Sequence, residues 1–77
     1  MKETRLFFIV DSAETNYEIF ETLEQAETYK ETLEKQNKEN GSIKVAIVKN
    51  AYKERIQGKQ VWKYDDYSDT FEIIKTL

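Results

Sequence analysis

Five consecutive apolar residues, Leu6-Phe7-Phe8-Ile9-Val10, follow the polar opening Met1-Lys2-Glu3-Thr4-Arg5. In a strand, alternate side chains point to opposite faces, so this run makes both faces of its sheet apolar. A second segment does the same: Ile43, Val45 and Ile47 alternate with Lys44, Ala46 and Val48. The pattern predicts a first strand over about residues 4–10. The polar, turn-prone stretch Asp11-Ser12-Ala13-Glu14-Thr15-Asn16 follows it. Tyr17-Glu18-Ile19-Phe20 then alternates briefly and makes 6–20 a candidate hairpin.

The period changes at Thr22-Leu23-Glu24-Gln25, which fits a capping box with a hydroxyl at the N-cap and an amide three residues on. A helix is predicted from Leu23 to about Lys38. Leu23, Ala26, Tyr29 and Leu33 form a narrow apolar stripe at helical spacing. Glu31/Lys35 and Glu34/Lys38 are well-oriented i,i+4 pairs on the polar side. Asn40-Gly41 is the expected stop, with Gly41 able to take a positive φ. After the strand at 43–48, Asn50 to Ile56 reads equally as strand or as irregular chain. Gln57-Gly58-Lys59-Gln60 is the candidate tight turn, leading into Val61-Trp62-Lys63-Tyr64. Asp65-Asp66-Tyr67-Ser68-Asp69 turns the chain into a last strand over 70–75.

These elements predict a single α+β domain: a mainly antiparallel, three- to five-stranded sheet with one helix (about 23–38) on one face, in the order β(β)αβββ. A helix offering four apolar residues does not cover two apolar sheet faces. At about 25 cal/mol per Å², leaving several large side chains wet forgoes a few kcal/mol. The other face is therefore expected to meet a second copy or a partner protein, with Phe7, Ile9, Ala46 and Val48 as its candidate contacts. With the opposite parity, Leu6, Phe8 and Val10 would lie outside instead. An isologous homodimer is the commonest way to close such a face.

Composition narrows the chemistry. The 77 residues contain no Cys and no His. No disulfide, thiolate ligand or Cys nucleophile is available, and the usual general base and transition-metal ligand are missing. That points away from catalysis, and no cofactor is called for. No apolar segment approaches the roughly 20 residues that cross a bilayer. A short apolar run with no cleavage signal reads as cytoplasmic.

The net charge of −3 hides an uneven distribution. Residues 1–42 carry five basic against ten acidic side chains, and residues 43–64 carry six basic against Glu54 alone. In that basic stretch Lys44, Lys49, Tyr52, Lys53, Arg55, Lys59, Trp62, Lys63 and Tyr64 interleave cations with aromatics. Lys49, Lys53, Arg55, Lys59, Trp62 and Lys63 are the candidate contacts for single-stranded nucleic acid, where cations neutralise phosphates and rings stack on bases. The competing reading is a solvated, lysine-rich edge that resists strand aggregation. Tyr64, Asp65, Asp66, Tyr67 and Asp69 form an acidic, tyrosine-flanked turn suited to a basic protein surface. Its spacing misses the EF-hand loop, so it is not a metal site, and turn chemistry also explains its Asp and Ser.

Residues 17–29 resemble the strand-to-helix segment of many small phage and prophage proteins, and 64–72 are similar to their C-terminal strands. Together they span under a third of the chain. Some such proteins block host defence by occupying a protein's nucleic-acid site, so the resemblance implies a binder or inhibitor. The combined reading is a small protein-binding module, self-associating through an open sheet face; single-stranded nucleic-acid binding by the 43–64 hairpin is the alternative.

Overall fold

The computed structural model describes residues 1–11, 17–37 and 41–77. Its elements run β1 (Lys2–Asp11), β2 (Glu18–Phe20), α1 (Leu23–Asn37), β3 (Ser42–Ile56), β4 (Lys59–Lys63) and β5 (Phe71–Thr76). This is a mixed α+β fold with one helix and an antiparallel sheet. The turn expected at 12–16, the helix end at Lys38 and the stop residue Asn40 lie outside the described residues. Gly41 does not adopt the positive φ expected of it, which among the glycines belongs to Gly58 alone. A Cβ at Gly41 would make only ordinary van der Waals contacts, 3.4 Å from the Asp11 carbonyl oxygen and 3.7 Å from Lys30 Cγ.

β3 is the spine of the sheet. One edge pairs with β1 through Val10↔Ile43, Phe8↔Val45 and Leu6↔Ile47. Its other edge carries two strands end to end, β5 beside residues 44–48 and β4 beside residues 52–56. β2 lies outside β1, with Phe8↔Phe20 and Ile9↔Ile19 in register. The stretch 50–56, open between strand and irregular chain in the sequence, continues β3 past a kink. Asn50 takes φ 56° there, and its N–H donates to Thr4 Oγ1 at 3.1 Å.

The kink is matched by register shifts between Glu3 and Arg5 in β1 and between Val45 and Ala46 opposite β5. Such irregularities bend strands and raise their twist. The sheet curls until its two ends meet. Trp62 of β4 donates its indole N–H to the carboxylate of Glu21, just past β2, and Lys53 Nζ lies 4.0 Å from the same carboxylate.

Curling closes the concave face. Phe7, Ile9, Ile19, Ala46, Val48, Ala51 and Trp62 form one buried cluster, with Tyr17, Tyr64 and Phe71 folded over it. Trp62 meets Phe7 edge-on at 5.0 Å, and Phe71 is met edge-on by Tyr17 at 4.9 Å and Tyr64 at 4.7 Å. The helix covers part of the convex face, where Val10, Ala26, Leu33 and Ile43 pack with Phe8, Phe20 and Tyr29. The N-cap is as the sequence implies: Gln25 N–H donates to Thr22 Oγ1 at 3.2 Å. Of the predicted stripe, Leu23 is the exception, 38% exposed. Among the described residues the helical ion pair is Lys30–Glu34, at 3.3 Å, in place of the expected Glu31/Lys35; Lys38 of the expected Glu34/Lys38 pair lies outside the described residues.

One expectation is overturned. Phe7, Ile9, Ala46 and Val48 are not an open face awaiting a partner, since none is more than 1% exposed. The reason is physical: a curled sheet covers its own concave side when its ends supply bulky aromatics, so the helix is needed on the convex face alone. Burying each of these larger side chains is worth about 1.5–3 kcal/mol.

Candidate functional site

Three surfaces carry the residues of interest: the acidic turn, the basic hairpin, and what the helix leaves bare.

The acidic turn is held by its own polar groups. Thr70, 2% exposed, donates its hydroxyl to the Asp65 carbonyl at 2.8 Å and accepts from Tyr67 N–H at 2.8 Å. Asp65 pairs with Lys2 Nζ at 2.9 Å, and Asp69 lies 3.8 Å from Lys49 Nζ. The hydrogen bond from Lys2 to Asp65 raises the Lys2 pKa above its ordinary value. Asp66 and Tyr67 stay open to solvent, Tyr67 at 70%. Tyr64 faces inward and donates its hydroxyl to the Tyr17 carbonyl. Burial, with Asp66 and Glu18 nearby, pushes its pKa up to about 12. Of the five residues predicted here, Tyr64 therefore belongs to the core and Asp65 and Asp69 to ion pairs. Among the described residues no group of three His, Cys, Asp or Glu is placed to hold a metal ion.

The basic hairpin is divided between two faces. Cross-strand partners share a face, so Lys53↔Trp62 and Arg55↔Gln60 lie on one side, and Tyr52↔Lys63 and Ile56↔Lys59 on the other. Trp62 is only 8% exposed and presents no stacking platform. Its ring is flanked by cations instead, with Lys53 Nζ 5.2 Å and the Arg5 guanidinium 5.3 Å from its centroid. The six predicted nucleic-acid contacts are thus not gathered into one stripe, and Lys49 stands apart beside Asp69.

On the convex face the helix stops short. Leu6, paired with Ile47, is 53% exposed, and Ile47 and Val45 are half-buried. Leu77, 53% exposed, donates its N–H to the Ile43 carbonyl at 2.8 Å and shares a shallow depression with Leu23, Lys30 and Glu31. Opposite Ile47 and Val45 on the same face stand Glu72 and Lys75. Periodicity shows that both faces of β1 are apolar. It does not show that the curl would hide the odd-numbered residues of β1, Phe7 and Ile9, leaving Leu6 bare.

A cleft of about 1030 Å³ lies between the β2–α1 corner and the β3–β4 hairpin. One wall carries Glu18, Glu21 and Glu24, the facing wall Lys53, Lys59 and Lys63. Local sequence pattern does not announce it, because its walls come from segments some forty residues apart, as the Glu21–Trp62 contact shows. No helix among the described residues is long and apolar enough to cross a membrane. No known protein family matches the chain, and no curated protein or solved structure matches it.

Proposed function

We propose that this chain is a non-catalytic protein-binding module that acts by stoichiometric association, and that it pairs with a second copy through the bare part of its convex face. The observation that carries this is the apolar strip that runs from Leu77, at the margin of α1, along Val45 and Ile47 to the bare Leu6. Exposed apolar patches of this kind mark interaction sites. A second copy fits because Glu72 and Lys75 lie on the same face. A two-fold axis through the strip would bring each acidic group towards the other copy's base, as self-complementary interfaces require. Binding as the mode of action also agrees with the resemblance to small phage inhibitors, which would make a host protein the target of the assembled dimer.

Light scattering tests the proposal. At micromolar concentration the mass should be twice the 9.2 kDa of one chain. Leu6→Lys combined with Ile47→Lys should return it to one chain with the far-UV spectrum unchanged. A wild-type chain that remains single at 100 μM would overturn self-pairing.

Single-stranded nucleic-acid binding is the second reading. It rests on Arg55, Lys59 and Lys63, none of which has an acidic partner within 4 Å among the described residues. It loses Trp62 as a stacking group, which leaves phosphate contacts alone. Affinity for a thymidine oligonucleotide that falls steeply with salt would favour it.

A further inference from the structure

We infer that Arg5, Lys53 and Arg55 form a carboxylate-binding rim at one end of the curled sheet, which takes an acidic segment of a partner protein. It rests on the protein-binding reading but uses a surface separate from the convex strip. A single irregularity assembles the rim. Between Arg5↔Val48 and Glu3↔Ala51, β1 has one residue, Thr4, where β3 has two, Lys49 and Asn50. Two residues facing one make a bulge, with Asn50 left-handed at φ 56° and its N–H donated to Thr4 Oγ1 at 3.1 Å. The bulge decides which residues of β3 join the concave face. Plain alternation from the buried Val48 would place Asn50, Tyr52 and Glu54 there. With the extra residue, Ala51 is buried in the concave core instead, and Lys53 and Arg55 follow it on that side. A tyrosine and an acid are thereby exchanged for two bases on the face of Arg5, whose cross-strand partner is Val48. All three cations are exposed, so packing does not require the exchange. Bulges re-aim side chains in this way beside functional sites.

Aromatic rings back the rim. The Arg5 guanidinium lies 5.3 Å from the Trp62 ring centroid and 5.5 Å from that of Phe7, and Lys53 Nζ lies 5.2 Å from Trp62. Two cations thus share one indole, and the ring faces hold them without using up their N–H donors. Two carboxylates stand nearby on this side. Glu21 accepts from the Trp62 indole N–H and lies 4.0 Å from Lys53 Nζ, and Glu3 is paired across the strands with Ala51. Among the described residues no carboxylate lies within 4 Å of Arg5 or Arg55. An incoming anion relieves the repulsion between the gathered cations, and the guanidinium fork matches a carboxylate through two parallel hydrogen bonds. A continuous polyanion fits less well, because Glu3 and Glu21 interrupt the positive surface. The occupant is therefore a protein segment that presents a single Asp or Glu side chain to Arg5, with Lys53 and Arg55 supporting it.

The test uses the full chain and a displayed library of random twelve-residue peptides. Selection should yield peptides with an Asp or Glu at a shared position, whose binding changes the fluorescence of Trp62, the only Trp in the chain. Replacing that acid by its amide should weaken binding about tenfold or more, a readout that needs no variant of the protein. Arg5→Lys keeps a cation over the rings and loses the fork. It should weaken the acidic peptide about fivefold, leave the amide peptide unchanged and keep the melting temperature within a few degrees. The Leu6→Lys, Ile47→Lys variant should bind the peptide like the wild type, so failure of the convex interface is seen separately by light scattering. An empty selection, peptides without a shared acid, or an amide form that binds equally well would overturn the inference. Displacement of the peptide by a thymidine oligonucleotide whose own binding Arg5→Lys abolishes would assign the rim to nucleic acid and overturn it as well.

Discussion

Tyr64 shows how one side chain couples the acidic turn to the core. Its hydroxyl donates to the Tyr17 carbonyl, and burial holds its pKa near 12 against the ordinary 10.0. Below pH 10 both folded and unfolded chains keep the phenolic proton. Between pH 10 and 12 the unfolded chain loses it while the folded chain does not, so stability falls as pH rises through that window. Lys2 and Lys44, whose pKa values are raised by their hydrogen bonds to Asp65 and Asp11, act in the same direction. Urea titrations from pH 9 to 12 should show the fall, and Tyr64→Phe should make it shallower. Absorbance at 295 nm should show Tyr64, and Tyr29, whose pKa burial also raises, titrating late in the native protein. At this scale the sequence was legible in residue type but not in role. The sequence shows Trp62 and Tyr64 as aromatics beside cations, yet burial turns the one into core and the other into a strut, and burial depends on contacts some forty residues away in the chain.

Among the elements, the helix was the most legible, because capping and an apolar stripe are local signals. Thr22 caps it, and Ala26 and Leu33 anchor it. The long β3 was less so. Asn50, left-handed in mid-strand, breaks the alternation: Val48 and Ala51 share the concave core although three residues apart. Period-two reading fails across such a point, which is why 50–56 looked equally like strand and irregular chain. The β3–β4 turn offers a direct prediction. Gln57 holds φ 51°, a conformation Asn tolerates better than Gln, and Asn-Gly is the preferred type I′ pair. Gln57→Asn should stabilise the protein by a few tenths to about 1 kcal/mol, measured by urea denaturation. An unchanged or lower midpoint would mean that the turn is not strained there.

For the molecule as a whole, the apolar character of both sheet faces was plain in the sequence, and how each face closes was not. Closure of the concave side depends on the summed bends at Glu3–Arg5, Asn50 and Val45–Ala46, which no single residue announces. One consequence is cooperativity. β1 gives Phe7 and Ile9 to the concave cluster and Val10 to the helical one, while β3 gives Val48 and Ile43. Neither cluster can melt without loosening the strands of the other. Fluorescence of Trp62, reporting the concave side, and ellipticity at 222 nm, reporting α1, should follow one denaturation curve. Separate midpoints would mean that the helix peels away independently.

The same doubly apolar β1 leaves its alignment open to error. A strand with one oily side is held in place because slipping by one residue turns that side to water. Here a slip would merely exchange Phe7 and Ile9 for Phe8 and Val10, one greasy set for another. The alignment must be written elsewhere, and two polar pins near the ends of β1 can write it: Asp11 to Lys44 Nζ at 2.9 Å, and Thr4 Oγ1 to the Asn50 N–H at 3.1 Å. Like the stops at either end of a zipper, they add little holding power of their own and decide which teeth meet.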